Sequence, residues 1–133
     1  MHLLDTDTVI YSLKGHPAVV GKMKSHLNDS IKISDIKLME LYYGAYKSQR
    51  ATANAARVKT LGQSIEMMPI NAAVAETFGM IKAVLESGGN RLDDFDLAIA
   101  ATVLANNLIL MTNNTDHFSR IEGLRIENWT MHS

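Results

Sequence analysis

Three stretches of this 133-residue chain place carboxylates where they are costly to keep unless something binds them. Asp5 closes the apolar run His2-Leu3-Leu4 and is followed by Thr6-Asp7-Thr8. In an open parallel sheet ligands bind beyond the carboxyl ends of the strands, so an acid directly after an apolar run is a first candidate for ligand contact. Thr112-Asn113-Asn114, after the run Leu108 to Met111, holds the same kind of position. An aspartate there is equally explained as a helix N-cap. Glu40 sits in a helical pattern from Asp35 to Tyr46, with Ile36 at i−4 and Tyr43 at i+3, and so lies on or beside an apolar stripe. A buried lone carboxylate is normally paired, protonated or bound to a metal; at the edge of the stripe it would reach solvent instead. Asp93, Asp94 and Asp96 crowd the start of the helix Leu97-Ala98-Ile99-Ala100-Ala101. Capping by Asp93 and the helix dipole at Asp96 explain part of this, yet three acids in four residues exceed what a cap needs. Like charges so close repel unless a cation sits among them, and oxygen-only ligands suit Mg²⁺ or Mn²⁺ better than zinc. None of the five histidines shows the paired spacing of zinc ligands on a helix; His117, beside Asp116, reads as surface loop.

The elements that must hold these residues alternate along the chain. A strand at His2 to Asp5 leads into a helix carrying Val9, Ile10 and Leu13, and Pro17 to Leu27 reads as a second helix with proline early, where its missing N–H costs nothing. A strand at Ile31 to Ser34 runs into the helix Asp35 to Tyr46. Ala51 to Leu61 is an alanine-rich amphipathic helix, and Glu66 to Ile70 is a strand kept short by Pro69. The helix Ala72 to Leu85 ends at Ser87-Gly88-Gly89-Asn90, residues that tolerate left-handed geometry. Asp93 to Asn106 is the next helix, Leu108 to Met111 a strand, and Leu124 to Trp129 the last strand. Such alternation predicts an α/β fold, a three-layer sandwich with a mainly parallel central sheet of four to five strands flanked by helices. Length and the lack of a linker signal predict one domain over residues 1–133.

Composition narrows the function classes. A hydrophobic fraction of 47% with 20% charged residues belongs to a chain with a proper core. With no cysteine, a disulfide framework, a thiolate zinc site and a cysteine nucleophile are all excluded, and a reducing cytoplasm fits best. The start shows no basic and apolar leader, and no run approaches membrane-spanning length. Net charge is −1, but from Lys14 to Lys59 nine basic residues face three acids, whereas from Leu61 onward four face nine. Solvated helix faces explain this, as does a basic rim for phosphates including Lys47, Arg50 and Arg57.

Taken in order, Leu3-Leu4-Asp5-Thr6, Leu38-Met39-Glu40-Leu41-Tyr42-Tyr43-Gly44, Asp96-Leu97-Ala98-Ile99-Ala100-Ala101 and Thr112-Asn113-Asn114 resemble the PIN-domain ribonuclease toxins of the VapC type. The likeness extends through Phe118 to Ile121 and Arg125 to Trp129, nearly the full chain, and its specificity lies in the ordered set. It implies that Asp5, Glu40 and Asp96 are the catalytic, metal-binding acids, with Asp7 accessory. Where many members carry an acid in the segment after Thr112, this chain has Asn114, with Asp116 two residues on; either completes the site, Asn114 as a weak or indirect partner, and Thr112 would hold a carboxylate or water. The resemblance further implies Mg²⁺ (or Mn²⁺) as cofactor, hydrolysis of RNA phosphodiester bonds with a structured RNA such as tRNA as target, a VapB-type antitoxin, and a homodimer within a toxin–antitoxin hetero-oligomer.

Two other readings compete. Asp5-Thr6-Asp7-Thr8-Val9 also looks like the first motif of haloacid-dehalogenase-type phosphatases, with Asp5 as nucleophile and Asp7 as general acid/base. Against it, Asp93 and Asp94 open a helix instead of following a strand, and the chain is short for that family. A non-catalytic α/β binding module, whose acids are caps and solvated charges, is the other.

Overall fold

Leu3 and Leu4 are both fully buried although they are neighbours in one strand, so the sheet that contains them must be covered on both faces. The structure, a computed structural model, is described over residues 1–5 and 31–128. Among the described residues five strands, β1 (His2–Leu4), β2 (Ile31–Ser34), β3 (Glu66–Met68), β4 (Ile109–Met111) and β5 (Ile126–Glu127), form one sheet in the order β3-β2-β1-β4-β5. Every pairing is parallel, with Leu4 opposite Ile33 on one side and Met111 on the other. The helices expected from Val9 to Leu13 and from Pro17 to Leu27, and Trp129 of the last strand, lie outside the described residues.

The described helices are α1 (Asp35–Lys47), α2 (Ala51–Ser64), α3 (Ala72–Ser87), α4 (Asp94–Ala105) and α5 (Thr115–Phe118). Alternate strand residues sort them onto two faces. Leu4, Ile33 and Met111 pack with Leu41 and Ala45 of α1 and Val58 of α2. Leu3 and Leu110 pack with Val74, Ile81 and Leu85 of α3, Ile99 and Val103 of α4, and Phe118 of α5. The result is the three-layer sandwich that the alternation of strands and helices implies.

Helix ends fall where local chemistry puts them. Ser34 caps α1 by accepting from the Lys37 N–H at 3.1 Å, and Asn71 does the same for α3 through the Val74 N–H at 3.0 Å. Gly89, at φ +76°, turns the chain out of α3, a conformation in which a side chain would be strained. Asn107, at φ +53°, lets the Leu108 N–H reach back to the Val103 carbonyl, so α4 turns within three residues into β4. Pro69 follows β3, which stops at Met68. The four-residue α5 is an element that the sequence pattern does not predict, because a single turn carries too little periodicity to stand out.

Direction follows from these junctions. Because α1 leaves β2 without a loop, its first turns stand at the carboxyl edge of the sheet. Because α4 feeds β4 through a short turn, its last residues stand at the opposite edge and its first turn, with Asp96, at the carboxyl edge. Leu110, with no exposed surface, lies in the central sheet and packs into the α4 core, so Leu110→Ala should cost about 2–5 kcal/mol in urea unfolding; a change under about 0.5 kcal/mol would mean the core had closed over the gap.

Candidate active site

At the carboxyl edge, β1 is the point where the chain order reverses: β2 and β3 continue to one side, β4 and β5 to the other. Asp5 is the first residue past β1 and Thr112 the first past β4, the crevice position of an open parallel sheet. The Asp5 N–H donates to the Met111 carbonyl at 2.8 Å, which continues the ladder by one residue and fixes where the carboxylate begins. Asp5 is 6% exposed. Thr112 Oγ1 donates to Asp5 Oδ2 at 2.7 Å, and the Lys37 ammonium donates to Oδ1 at 2.7 Å.

Lys37 is the residue that sequence reasoning misses. It stands among the nine basic residues that read as solvated faces or a phosphate rim, yet it is 3% exposed, and Lys32 is buried as well, paired with Glu66 across β2 and β3. One signal could have found it: Lys37, Leu41 and Ala45 recur at i, i+4 and i+8, and these three are the buried residues of α1. The buried stripe is therefore rotated from the one that Ile36 and Tyr43 suggest. Tyr43 is exposed, and Glu40 lies beside the stripe, half-buried, where it accepts from the Lys37 ammonium at 3.2 Å. Burial alone would pull the Lys37 pKa down, but Asp5 and Glu40 outweigh it and raise the ammonium above its ordinary value.

The aspartate triplet divides its labour. Asp93 caps α4, accepting from the Phe95 N–H at 2.8 Å, and Asp94 pairs with Lys82 on α3 at 2.9 Å, in an open groove that includes none of the three candidate metal ligands. Asp96 alone turns toward Asp5 and Lys37. Its carboxyl pKa is raised, chiefly by burial; Lys37 and His117 oppose this, while Asp5 and Asp93 add to it. His117, which reads from the sequence as surface loop, is half-buried on α5 with Nε2 3.7 Å from Asp96 Oδ2. The Asn114 side-chain amide donates to His117 Nδ1 at 2.9 Å, leaving the ring proton on Nε2, and the Asn114 N–H donates to Thr112 Oγ1 at 3.0 Å. Asp116 is exposed, and among the described residues no ion pair or hydrogen bond joins its carboxylate to the cluster. Lys47, Arg50 and Arg57 are exposed on α1, at the Arg50 cap and on α2; Lys47 lies over the Tyr43 ring at 5.6 Å. Asp7 lies outside the described residues.

The donor set of Asp5, Glu40 and Asp96 is all oxygen, and a cation, the Lys37 ammonium, already stands between two of them. That chemistry fits a hard divalent ion. The three side chains are nonetheless not drawn to coordinating distance of one point, nor is any other trio of acids or histidines among the described residues.

Comparison with known proteins gives the family of the chain. The family model of the PIN domain matches residues 2–124. The chain is 38% identical to the tRNA(fMet)-specific endonuclease VapC of Shigella flexneri over 128 residues, 96% of this chain and 97% of that one. It is 34% identical to ribonuclease VapC2 of Haemophilus influenzae over the same share of each. Among solved structures it resembles VapBC2 from Rickettsia felis bound to a promoter DNA fragment, with a TM-score of 0.89 and 31% identity over 96% of this chain and 98% of the other. It also resembles DNA-bound VapBC from Salmonella typhimurium, with a TM-score of 0.90 and 34% identity over 96% and 97%.

A carboxylate whose folded pKa is raised contributes stability below its unfolded pKa and loses it as pH rises through the folded value. Without added metal, Asp96→Asn should therefore be more stable than the parent chain near neutral pH. The gap should close as pH falls through the carboxylate range. Urea midpoints across pH measure it; an Asn variant less stable at pH 7 would contradict the assigned cost of burying that charge.

Proposed function

The chain belongs to the PIN-domain family and is a VapC-type ribonuclease, the metal-dependent toxin of a toxin–antitoxin pair, and on that footing we propose that Asp5, Glu40 and Asp96 bind the ion its RNA cleavage needs. The observation that carries this is the meeting, at one strand edge, of acids 91 positions apart in sequence (96 − 5), held by Thr112, Lys37 and a helix start. Membership sets aside the phosphatase reading, with Asp5 as nucleophile, and the non-catalytic binding module.

The reaction is hydrolysis of an RNA phosphodiester bond in one nuclease domain, with Mg²⁺ or Mn²⁺ as the ion. When bound, such an ion polarises the phosphate and lowers the pKa of an attacking water. The residues of this chain position it. Asp5 has each oxygen oriented by a donor, Lys37 or Thr112, and a carboxylate oxygen can accept more than one partner. Glu40 and Asp96 approach from helices on opposite faces of the sheet. Asp7 serves as an accessory acid. Asn114, in preference to Asp116, completes the fourth corner indirectly, by orienting His117 toward Asp96 and donating to the Thr112 hydroxyl.

Lys47, Arg50 and Arg57 are the residues to meet the RNA backbone. Two of the curated relatives of this chain are named tRNA(fMet)-specific endonucleases, so initiator tRNA is the first substrate to offer. A cognate VapB-type antitoxin is the protein partner, and cytoplasm the compartment. Met39, Tyr43 and Tyr46 form an exposed apolar row on the helix that carries Glu40, suited to an antitoxin that covers the acids; Met80 and Val84 on α3 form a second, suited to a homodimer.

Purified chain should cut initiator tRNA only with Mg²⁺ or Mn²⁺, and Asp5→Asn or Asp96→Asn should lower the rate on the order of 10²-fold or more, the scale of removing one electrostatic element from a transition-state site. Metal-dependent cutting that survives both substitutions would overturn the assignment of these acids. Charge reversal at Lys47, Arg50 or Arg57 should weaken RNA binding and reduce the slope of log K against log salt by about 1 for each phosphate that is no longer neutralised. An unchanged slope would return the residue to ordinary surface charge.

A further inference from the structure

The Lys37 ammonium is a cation inside a site built for cations. It is withdrawn from solvent, it contacts Asp5 at 2.7 Å and Glu40 at 3.2 Å, and it originates on the same helix as Glu40, three residues before it. We propose that Lys37 serves as the resident second cation of this site, so that Asp5, Glu40 and Asp96 take one divalent ion and not two. The proposal rests on the metal-dependent reading of these acids and specifies their stoichiometry.

Charge counting supports it. Among the described residues the cluster holds three carboxylates and one ammonium, −3 + 1 = −2, the charge one divalent ion cancels. Among the described residues Thr112 and Asn114 are neutral and Asp94 is paired with Lys82, while Asp93, the α4 cap, is a carboxylate that Asp96 senses but that makes no contact with the ammonium. Among the described residues the acid of the three that no lysine or arginine contacts is Asp96, which has only the His117 ring at 3.7 Å. A second divalent ion near Asp5 and Glu40 would have to displace the ammonium or be repelled by it at close range.

An ordinary surface lysine does not explain the contacts, because Lys37 is not at the surface. Direct contact with RNA is equally excluded by burial, so Lys37 is a positioning residue that acts through Asp5 and Glu40. A merely structural ion pair would stabilise the fold and leave the ion count alone, which is where an experiment separates the two.

The full chain, stripped of metal, is titrated with MnCl₂, with bound ions counted by electron paramagnetic resonance and folding followed by circular dichroism. One Mn²⁺ per chain is expected for the parent and for Lys37→Arg, and two for Lys37→Met, which vacates the ammonium's position while keeping side-chain length. If Lys37→Met is unfolded without metal, Mn²⁺ should restore its fold, since the ion takes over the ammonium's role. Two ions in the parent, or a single ion in folded Lys37→Met, overturns the proposal while leaving the ribonuclease reading intact. So does a Lys37→Met chain that stays unfolded at saturating Mn²⁺. No Mn²⁺ bound by the parent at all would instead overturn the metal-site assignment on which the proposal rests.

Discussion

The site depends on one buried charge, the Asp5 carboxylate. Among the described residues three contacts offset its cost of desolvation: the ladder to β4 fixes its backbone, the Thr112 hydroxyl takes one oxygen, and the Lys37 ammonium takes the other. Each of these fixes something further. Thr112 ties the start of α5 through the Asn114 N–H, and Asn114 sets the tautomer of His117 opposite Asp96. Lys37 ties α1, and with it Glu40. The two helices that bring the remaining acids thus answer to a single aspartate at the end of the central strand.

A parallel sheet makes that meeting possible. All strand ends of one polarity lie along one edge, and a helix that leaves or enters a strand by a short connection has a determined end at that edge. Ser34 caps α1 directly out of β2, and Asn107 with Leu108 returns α4 into β4. These are backbone matters, remote from the acids themselves. The carboxylates arrive together because the connections are short, not because they attract one another; the raised pKa of Asp96 is the mark left by burial and by their mutual repulsion.

The parts of this architecture that announce themselves in sequence are those governed by local pattern. β1 and β4 are apolar runs because both faces are covered, and the caps at Ser34, Asn71 and Asp93 precede helices with recognisable periods. Asp5 can be singled out because a strand end is legible. Lys37 cannot, because charge is the strongest cue for exposure and only the three-dimensional pairing overrides it; the i, i+4 recurrence with Leu41 and Ala45 is its one trace. His117 escapes notice for a related reason. A helix of one turn leaves no period to read, so the direction of its side chains is set by the fold and not by the neighbours in sequence.

The bond from Thr112 to Asp5 joins residues separated by 107 positions, and β1 pairs with β4 over a similar span. A chain still being synthesised therefore holds Asp5, Glu40 and Asp96 for some time without holding an active site, since the aspartate has neither its hydroxyl donor nor its neighbouring strand until Thr112 has emerged. Long-range parallel pairing is also among the slower things a chain can form. A chain that stops short of Thr112 would carry all three acids yet lack both the hydroxyl that orients Asp5 and the strand that pairs with β1 on that side.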